Sequence, residues 1–266
     1  RTGIGTITER DSNDTQLSTD AVLIPEVLRH ARGATWQDGA VGKWHLAGVK
    51  VEDWPTHPLR SGFQWFAGVR GNPEYRDGRK YEHWSRNLNG TVSDDDRYLT
   101  VGTTDDALLR IGQMQEPWFL YVAYNAAHVP IHDPPASLRP AAVPAPRDGV
   151  DRHDTMIAVL DAEIGRLLAS MDPGVRARTT VIALGDNGSS RFGLRNGQGP
   201  GRQRIKHSVF EGGVRVPLIV TGPLVAKPGT TTPALVHITD LFPTMAELAG
   251  VPVEDGVVVL PDQRVA

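Results

Sequence analysis

Trp118-Phe119-Leu120-Tyr121-Val122-Ala123-Tyr124-Asn125-Ala126-Ala127-His128-Val129-Pro130 is the stretch that decides the fold. An unbroken apolar and aromatic run of strand length reads as a strand buried on both faces. It empties directly into a polar cluster holding Asn125 and His128. In open α/β sheets, ligands gather at the carboxyl ends of the strands. The same segment therefore predicts both an architecture and a place for chemistry.

The pattern recurs on either side. Upstream, Ser18-Thr19-Asp20 offers helix caps. Val22, Leu23, Val27 and Leu28 follow on a helical period up to a stop at Gly33. A strand over residues 34–41 then ends at Gly42-Lys43-Trp44-His45-Leu46. Residues 48–103 show no clear period and read as a long loop or insertion. Thr103-Thr104-Asp105 caps a helix that runs to Met114, with Pro117 beyond it. Downstream, residues 133–150 are Pro-rich. Residues 151–171 form an amphipathic helix with Met156, Val159, Leu160, Ile164, Leu167 and Leu168 on its apolar face. Thr179 to Leu184 is a second buried strand, ending in Gly185-Asp186-Asn187-Gly188. A Gly/Arg-rich loop leads to Lys206, and Val216 to Val220 is a further strand. Thr239 or Asp240 caps a last helix through Leu248, stopped by Gly250. Alternating strands and helices predict an α/β fold with a mostly parallel central sheet and helices on both faces.

Composition narrows the class. Hydrophobic residues make up 39% and charged residues 22% of the 266, enough for a core without staples. A net charge of −3 gives no broad footprint for nucleic acid. With no cysteine, disulfides and Cys-ligated zinc are excluded. No apolar run reaches the roughly 18 residues of a membrane span.

The polar strand ends carry the chemistry. On a strand, positions two apart face one side, so Lys43 and His45 can address the same anion. Asp186 and Asn187 are oxygen donors suited to a hard cation such as Ca²⁺ or Mg²⁺. His128 is a candidate general acid, and Lys206 a cation for a phosphate or sulfate. Each has a structural alternative: a solvated strand edge for Lys43 and His45, a turn for Asp186-Asn187, a loop histidine for His128, a surface lysine for Lys206. Glu211 and Arg215 read as a structural pair. Together the clusters suggest a tetrahedral oxyanion ester held by a metal and cations, with a histidine protonating the leaving oxygen.

The order and spacing of these blocks resemble the type I sulfatases of the alkaline phosphatase-like superfamily. Gly42 to Leu46 is similar to the family's G-K-W-H-L-G signature. Trp118 to Pro130 is similar to F-L-Y-x-x-x-x-A-P-H-x-P, with Ala127 where Pro is usual. Thr180 to Gly188 is similar to T-x-V-x-x-x-S-D-N-G. Lys206 to Pro217 is similar to K-G-x-x-x-E-G-G-x-R-V-P, with His207 in place of the common Gly. Asp240 to Thr244 and Glu247 to Gly250 fit its late helix. The resemblance implies hydrolysis of a sulfate ester, aryl or glycan. Asp186 and Asn187 would contribute to a Ca²⁺ site, Lys43 would bridge nucleophile and sulfate, and His45 would orient the nucleophile and act as base. His128 and Lys206 would hold the ester and assist departure of the alcohol. His132 is a further candidate for contact with substrate. Relatives of this kind are periplasmic, extracellular or lysosomal.

Two departures follow from the same comparison. The family's formylglycine arises in a C/S-x-P-x-R motif, and two consecutive Asp on the first strand supply further metal ligands. Neither is present, and Asp94-Asp95-Asp96 reads as a solvated acidic turn instead. Residues 1–266 are therefore expected to be a partial catalytic core, lacking the first strand, the nucleophile and most of the C-terminal subdomain, and inactive alone. Phosphomonoester or phosphonate hydrolysis and a non-catalytic sulfatase-like binding protein are the alternatives. Substrate-pocket walls are expected from residues 48–103 and 131–150, where Trp54, Trp65 and Trp84 serve packing or ring stacking.

Overall fold

A computed structural model describes residues 16–31, 35–48, 53–73, 80–190, 205–254 and 258. The expected stop at Gly33, most of the polar N-terminal loop and residues 191–204 of the Gly/Arg-rich loop lie outside them. The chain divides into two units, one of residues 1–125 and 234–266, the other of residues 126–233.

The first unit is built on a five-stranded sheet of order β4-β3-β2-β1-β5. Its centre is parallel: β1 (Gln37–Lys43) pairs with β2 (Phe66–Val69) on one side and β5 (Trp118–Ala123) on the other. β3 (Trp84–Leu88) and β4 (Thr91–Asp95) extend it antiparallel. Helices cover both faces. On one, Arg110 of α3 (Leu99–Gln113) lies against Gly39 beside Leu120, the partner of Gly39 in the β1–β5 register. On the other, Phe119 packs on a core of Ile24, Val27 and Leu28 from α1 (Ile24–Arg29) and Ala246 from α7 (Leu241–Leu248).

Residues 48–103, expected as a long irregular segment, supply three of the five strands and the short helix α2 (His57–Arg60). Trp65 and Trp84 are buried, and the Trp84 indole donates to the Arg97 carbonyl at 2.9 Å, so both serve packing. Asp94 and Asp95 lie on β4 rather than in a turn, and Asp95 pairs with Arg97 at 2.6 Å.

Two helix starts also differ from expectation. α1 begins behind Leu23, whose N–H donates to the Glu26 carboxylate at 3.2 Å, and Pro25 fixes its first turn. In α3, Thr103 and Thr104 sit inside the helix, their hydroxyls donating to the carbonyls of Leu99 and Thr100. Nearby Asp106 is held inside by a bidentate pair with Arg86, both contacts at 2.8 Å.

In the second unit, α4 (Gly149–Ser170) follows the expected period and buries Met156, Val159 and Leu167. Asp148 caps it, accepting from Val150 and Asp151 at 2.9 and 2.8 Å. α5 (Pro173–Arg178), capped by Asp172, was not signalled by hydrophobic period. β6 (Val181–Leu184) and β7 (Leu218–Thr221) pair antiparallel in a sheet of two strands. β6 was expected as a buried strand, but it is half-buried to exposed and β7 is exposed along its whole length, because two strands alone leave their faces open. Between them α6 (Glu211–Val214) is a single turn, where Glu211 pairs with Arg215 at 3.2 Å as expected.

Candidate active site

The Lys43–His45 arm starts from glycines. Gly42 adopts φ +92°, and a side chain there would overlap the Ala123 carbonyl. A side chain on its β2 neighbour Gly68 would overlap the Gly42 carbonyl. β1 can therefore bend at its carboxyl end only because both positions lack Cβ. Past the bend, Trp44 turns into the core, 2% exposed, edge-on to Phe63 and Phe66 at ring distances of 5.9 and 6.0 Å. Its N–H donates to Val69 O at 2.8 Å, and its carbonyl accepts from Gly71 at 3.1 Å. With Trp44 buried, the half-buried Lys43 and His45 flank it at the strand end. The His45 ring lies against Gly71, where a Cβ would stand 3.4 Å from Cδ2.

Asn125 completes this end of the sheet and carries a role that sequence reading missed. It is 4% exposed, and its amide donates to the Gly71 carbonyl at 2.9 Å, tying the end of β5 to the loop beside His45. Its own carbonyl accepts from the buried Tyr81 hydroxyl at 2.9 Å. Its place immediately after an apolar run was the only signal.

The second unit holds the remaining candidates. His128 Nδ1 stands 3.1 Å from the Val129 carbonyl, and His132 Nδ1 stands 2.8 Å from the Pro130 carbonyl. A carbonyl only accepts, so each Nδ1 carries a proton. Asp186 and Asn187 follow β6 and are exposed, with the Asn187 amide donating to Asp186 Oδ1 at 2.6 Å. The Lys206 segment is drawn to them by backbone contacts: Lys206 N–H donates to Ser189 O at 3.0 Å, and Gly188 N–H to Gly213 O at 2.9 Å. A side chain on Gly188 would overlap the Gly212 carbonyl, so the two glycine blocks interlock. A cavity of about 220 Å³ opens between them, lined by Asn187, Ser189, Ile205 and Arg215. Thus Asp186, Asn187 and Lys206 are gathered within one unit, while Lys43 and His45 are gathered within the other.

The family profile named Sulfatase matches residues 2–251. The chain belongs to the sulfatase family. It is 31% identical over 265 residues to N-acetylgalactosamine-6-sulfatase of Canis lupus familiaris, an alignment covering 90% of this chain and 48% of that protein. To arylsulfatase A of Homo sapiens it is 29% identical over 266 residues, covering 89% and 49%. Among solved structures, Ps i-CgsB in complex with k-i-k-neocarrahexaose superposes with a TM-score of 0.74 at 26% identity, covering 95% of this chain and 59% of that one. The chain spans about half the length of the curated relatives it matches.

Membership gives the odd residue in the Lys206 block a physical reading. His207 adopts φ +75°, in the left-handed region where glycine is favoured. The family pattern's Gly fits that conformation, and this chain places a β-carbon there at a cost. The donor set at Asp186-Asn187 suits a hard cation in kind, since both offer oxygen. It supplies only part of the roughly six to eight oxygens that Ca²⁺ takes. Among the described residues, no group of three His, Asp or Glu is placed to hold a metal. The pair fits Ca²⁺ as one side of a shell.

Proposed function

We propose that this chain is the core of a sulfate ester hydrolase. What supports the reading is the Lys43-Trp44-His45 arm: a buried indole flanked by a cation and an imidazole at the carboxyl end of a central strand. Asp186 and Asn187 form one side of a Ca²⁺ shell, with Mg²⁺ as a substitute. Held there, the metal would offset charge on sulfate oxygens, and the nucleophile would be a formylglycine supplied from outside these 266 residues.

This chain's own residues do the rest. Lys43 and Lys206 hold the anionic ester and offset charge that develops on its oxygens. His45 orients the nucleophile and later takes its proton. His128, anchored through Nδ1 to Val129, donates from Nε2 to the departing alkoxide, which requires the doubly protonated ring. His132 contacts a substrate hydroxyl or carboxylate. The substrate is a sulfated glycan: one relative is named N-acetylgalactosamine-6-sulfatase, and a fold neighbour was solved in complex with k-i-k-neocarrahexaose. The whole protein works in the periplasm, outside the cell or in the lysosome. No helix among the described residues is long and apolar enough to cross a membrane.

The test uses the chain extended to the length of its curated relatives, assayed on nitrophenyl sulfate and nitrophenyl phosphate. Faster turnover of the sulfate, lost on Lys43→Ala, is expected. Preference for the phosphate overturns the reading in favour of a phosphohydrolase, and binding of sulfate esters without turnover of either overturns it in favour of a non-catalytic protein.

A further inference from the structure

Trp44 is held by more than packing. Its indole Nε1–H donates to Nδ1 of His57 at 3.1 Å, and His57 is fully buried at the start of α2. Indole nitrogen only donates, so His57 Nδ1 is the acceptor and the proton sits on Nε2. That nitrogen donates to the Leu17 carbonyl at 3.0 Å. Leu17 N–H in turn donates to the Leu46 carbonyl at 2.9 Å. The circuit closes: Trp44 to His57, His57 to Leu17, Leu17 to Leu46. His45 lies between the two pinned residues, and Lys43 immediately precedes them. The hydroxyl of Ser61, one turn along at 1% exposure, also faces Nδ1 at 3.2 Å.

We propose that His57 is a positioning residue for the Lys43–His45 arm, a neutral imidazole that locks Trp44 and Leu17 around His45. The proposal rests on the arm's role in sulfate ester hydrolysis for its catalytic consequence, but the lock itself does not. The ring can serve in one tautomer only. A proton added at Nδ1 would face the indole N–H donor to donor and open the circuit. The charged groups felt at the ring are Arg60 and Asp53, which pair with each other at 2.6 Å. Lys43 and His45 stand on the flanks of Trp44. Burial pushes the imidazole below its ordinary value, so the acceptor form is the resting form.

Two substitutions separate the two halves of the lock. His57→Asn keeps an acceptor near the indole, whereas His57→Phe removes both nitrogens. The readout in the 266-residue chain is the Trp44 indole N–H resonance, assigned by its loss in Trp44→Phe. Wild type is expected to show slow exchange and one titration of this signal on acidification below pH 6.5. His57→Asn retains slow exchange without the titration, and His57→Phe accelerates exchange at least tenfold. In the extended enzyme, His57→Phe is expected to lower kcat about 10–100-fold with little change in KM, as a misplaced group does, and His57→Asn to restore most of it. An indole signal that does not titrate in wild type, or that keeps slow exchange in His57→Phe, overturns the lock, and the first of these outcomes needs no His57 variant. Unchanged kcat in His57→Phe, where Lys43→Ala is inactive, overturns the positioning role. If Lys43→Ala is itself fully active, the proposed function falls instead, and the indole signal still decides the lock.

Discussion

Gly68 of β2 faces Gly42 of β1 so closely that a β-carbon on Gly68 would overlap the Gly42 carbonyl oxygen. The neighbouring atoms are backbone, so neither strand can yield by turning a side chain. Gly68→Ala is expected to cost about 3 kcal/mol, the upper range of overpacking. A lowered urea midpoint with unchanged slope would report it. Gly112→Ala, where an added methyl meets open space in α3, should instead gain up to about 1 kcal/mol.

His207 offers a gain of the opposite kind. At φ +75° its side chain opposes the backbone, and the Lys206 segment is held against Ser189 despite it. His207→Gly is expected to stabilise the second unit by about 1 kcal/mol. Thermal unfolding followed in that unit, with Gly165→Ala in α4 as a helix-propensity reference, would show the increment.

Acid titration should reveal two buried groups acting in opposite senses. Burial lowers the His57 imidazole from its ordinary 6.5, so just below that pH the unfolded chain binds more protons. The stability His57 contributes is complete above pH 6.5 and is lost as pH falls. Asp38 is fully buried, and burial raises its carboxyl above the ordinary 3.8 despite the Gln64 N–H and the Arg29 guanidinium, 2.7 and 3.0 Å away. Its contribution is complete below pH 3.8 and is lost as pH rises through the window above that value. Urea unfolding at stepped pH should therefore show His57→Asn flattening the slope below 6.5 and Asp38→Asn flattening the slope above 3.8. At neutral pH, Asp38→Asn should lie within about 1 kcal/mol of wild type, because it removes a desolvation cost along with a pair.

Metal removal tests Asp186 and Asn187. In the extended enzyme, chelation should abolish sulfate ester turnover and added Ca²⁺ should restore it. Asp186→Ala should raise the Ca²⁺ concentration needed for half-activity by about tenfold or more, as loss of a charged ligand does. The 266-residue chain is expected to show no turnover with or without the metal, and any metal-dependent hydrolysis by it would be decisive against an external nucleophile.

The legible parts of this sequence were those where apolar residues run or recur. β5 announces itself by an apolar run and α4 by its period. Yet β5, expected to be buried on both faces, is only half-buried, with Tyr121 exposed, because it stands at the end of the strand order. β3 and β4 were hidden because their strand character lies in backbone pairing, with Ser85, Arg86 and Asn87 opposite Asp94, Ser93 and Val92. No alternation of apolar residues marks such a ladder. At the site, charged residues stood out by motif, while the residues that hold them did not. Asn125 and His57 act through contacts 54 and 40 positions away in sequence, to Gly71 and Leu17, and no local pattern encodes a contact of that length.

The sheet's outer strand β4 carries one further consequence. Its residues Thr91 to Asp94 are exposed, and two consecutive carboxylates close it. A strand from another copy approaching that edge would have to lay its backbone beside them and strip their water. Such charges discourage edge-to-edge growth. β5, at the far end of the strand order, contains no charged residue at all. The sheet thus has a polarity of its own: one margin that refuses further strands and one whose chemistry would admit them.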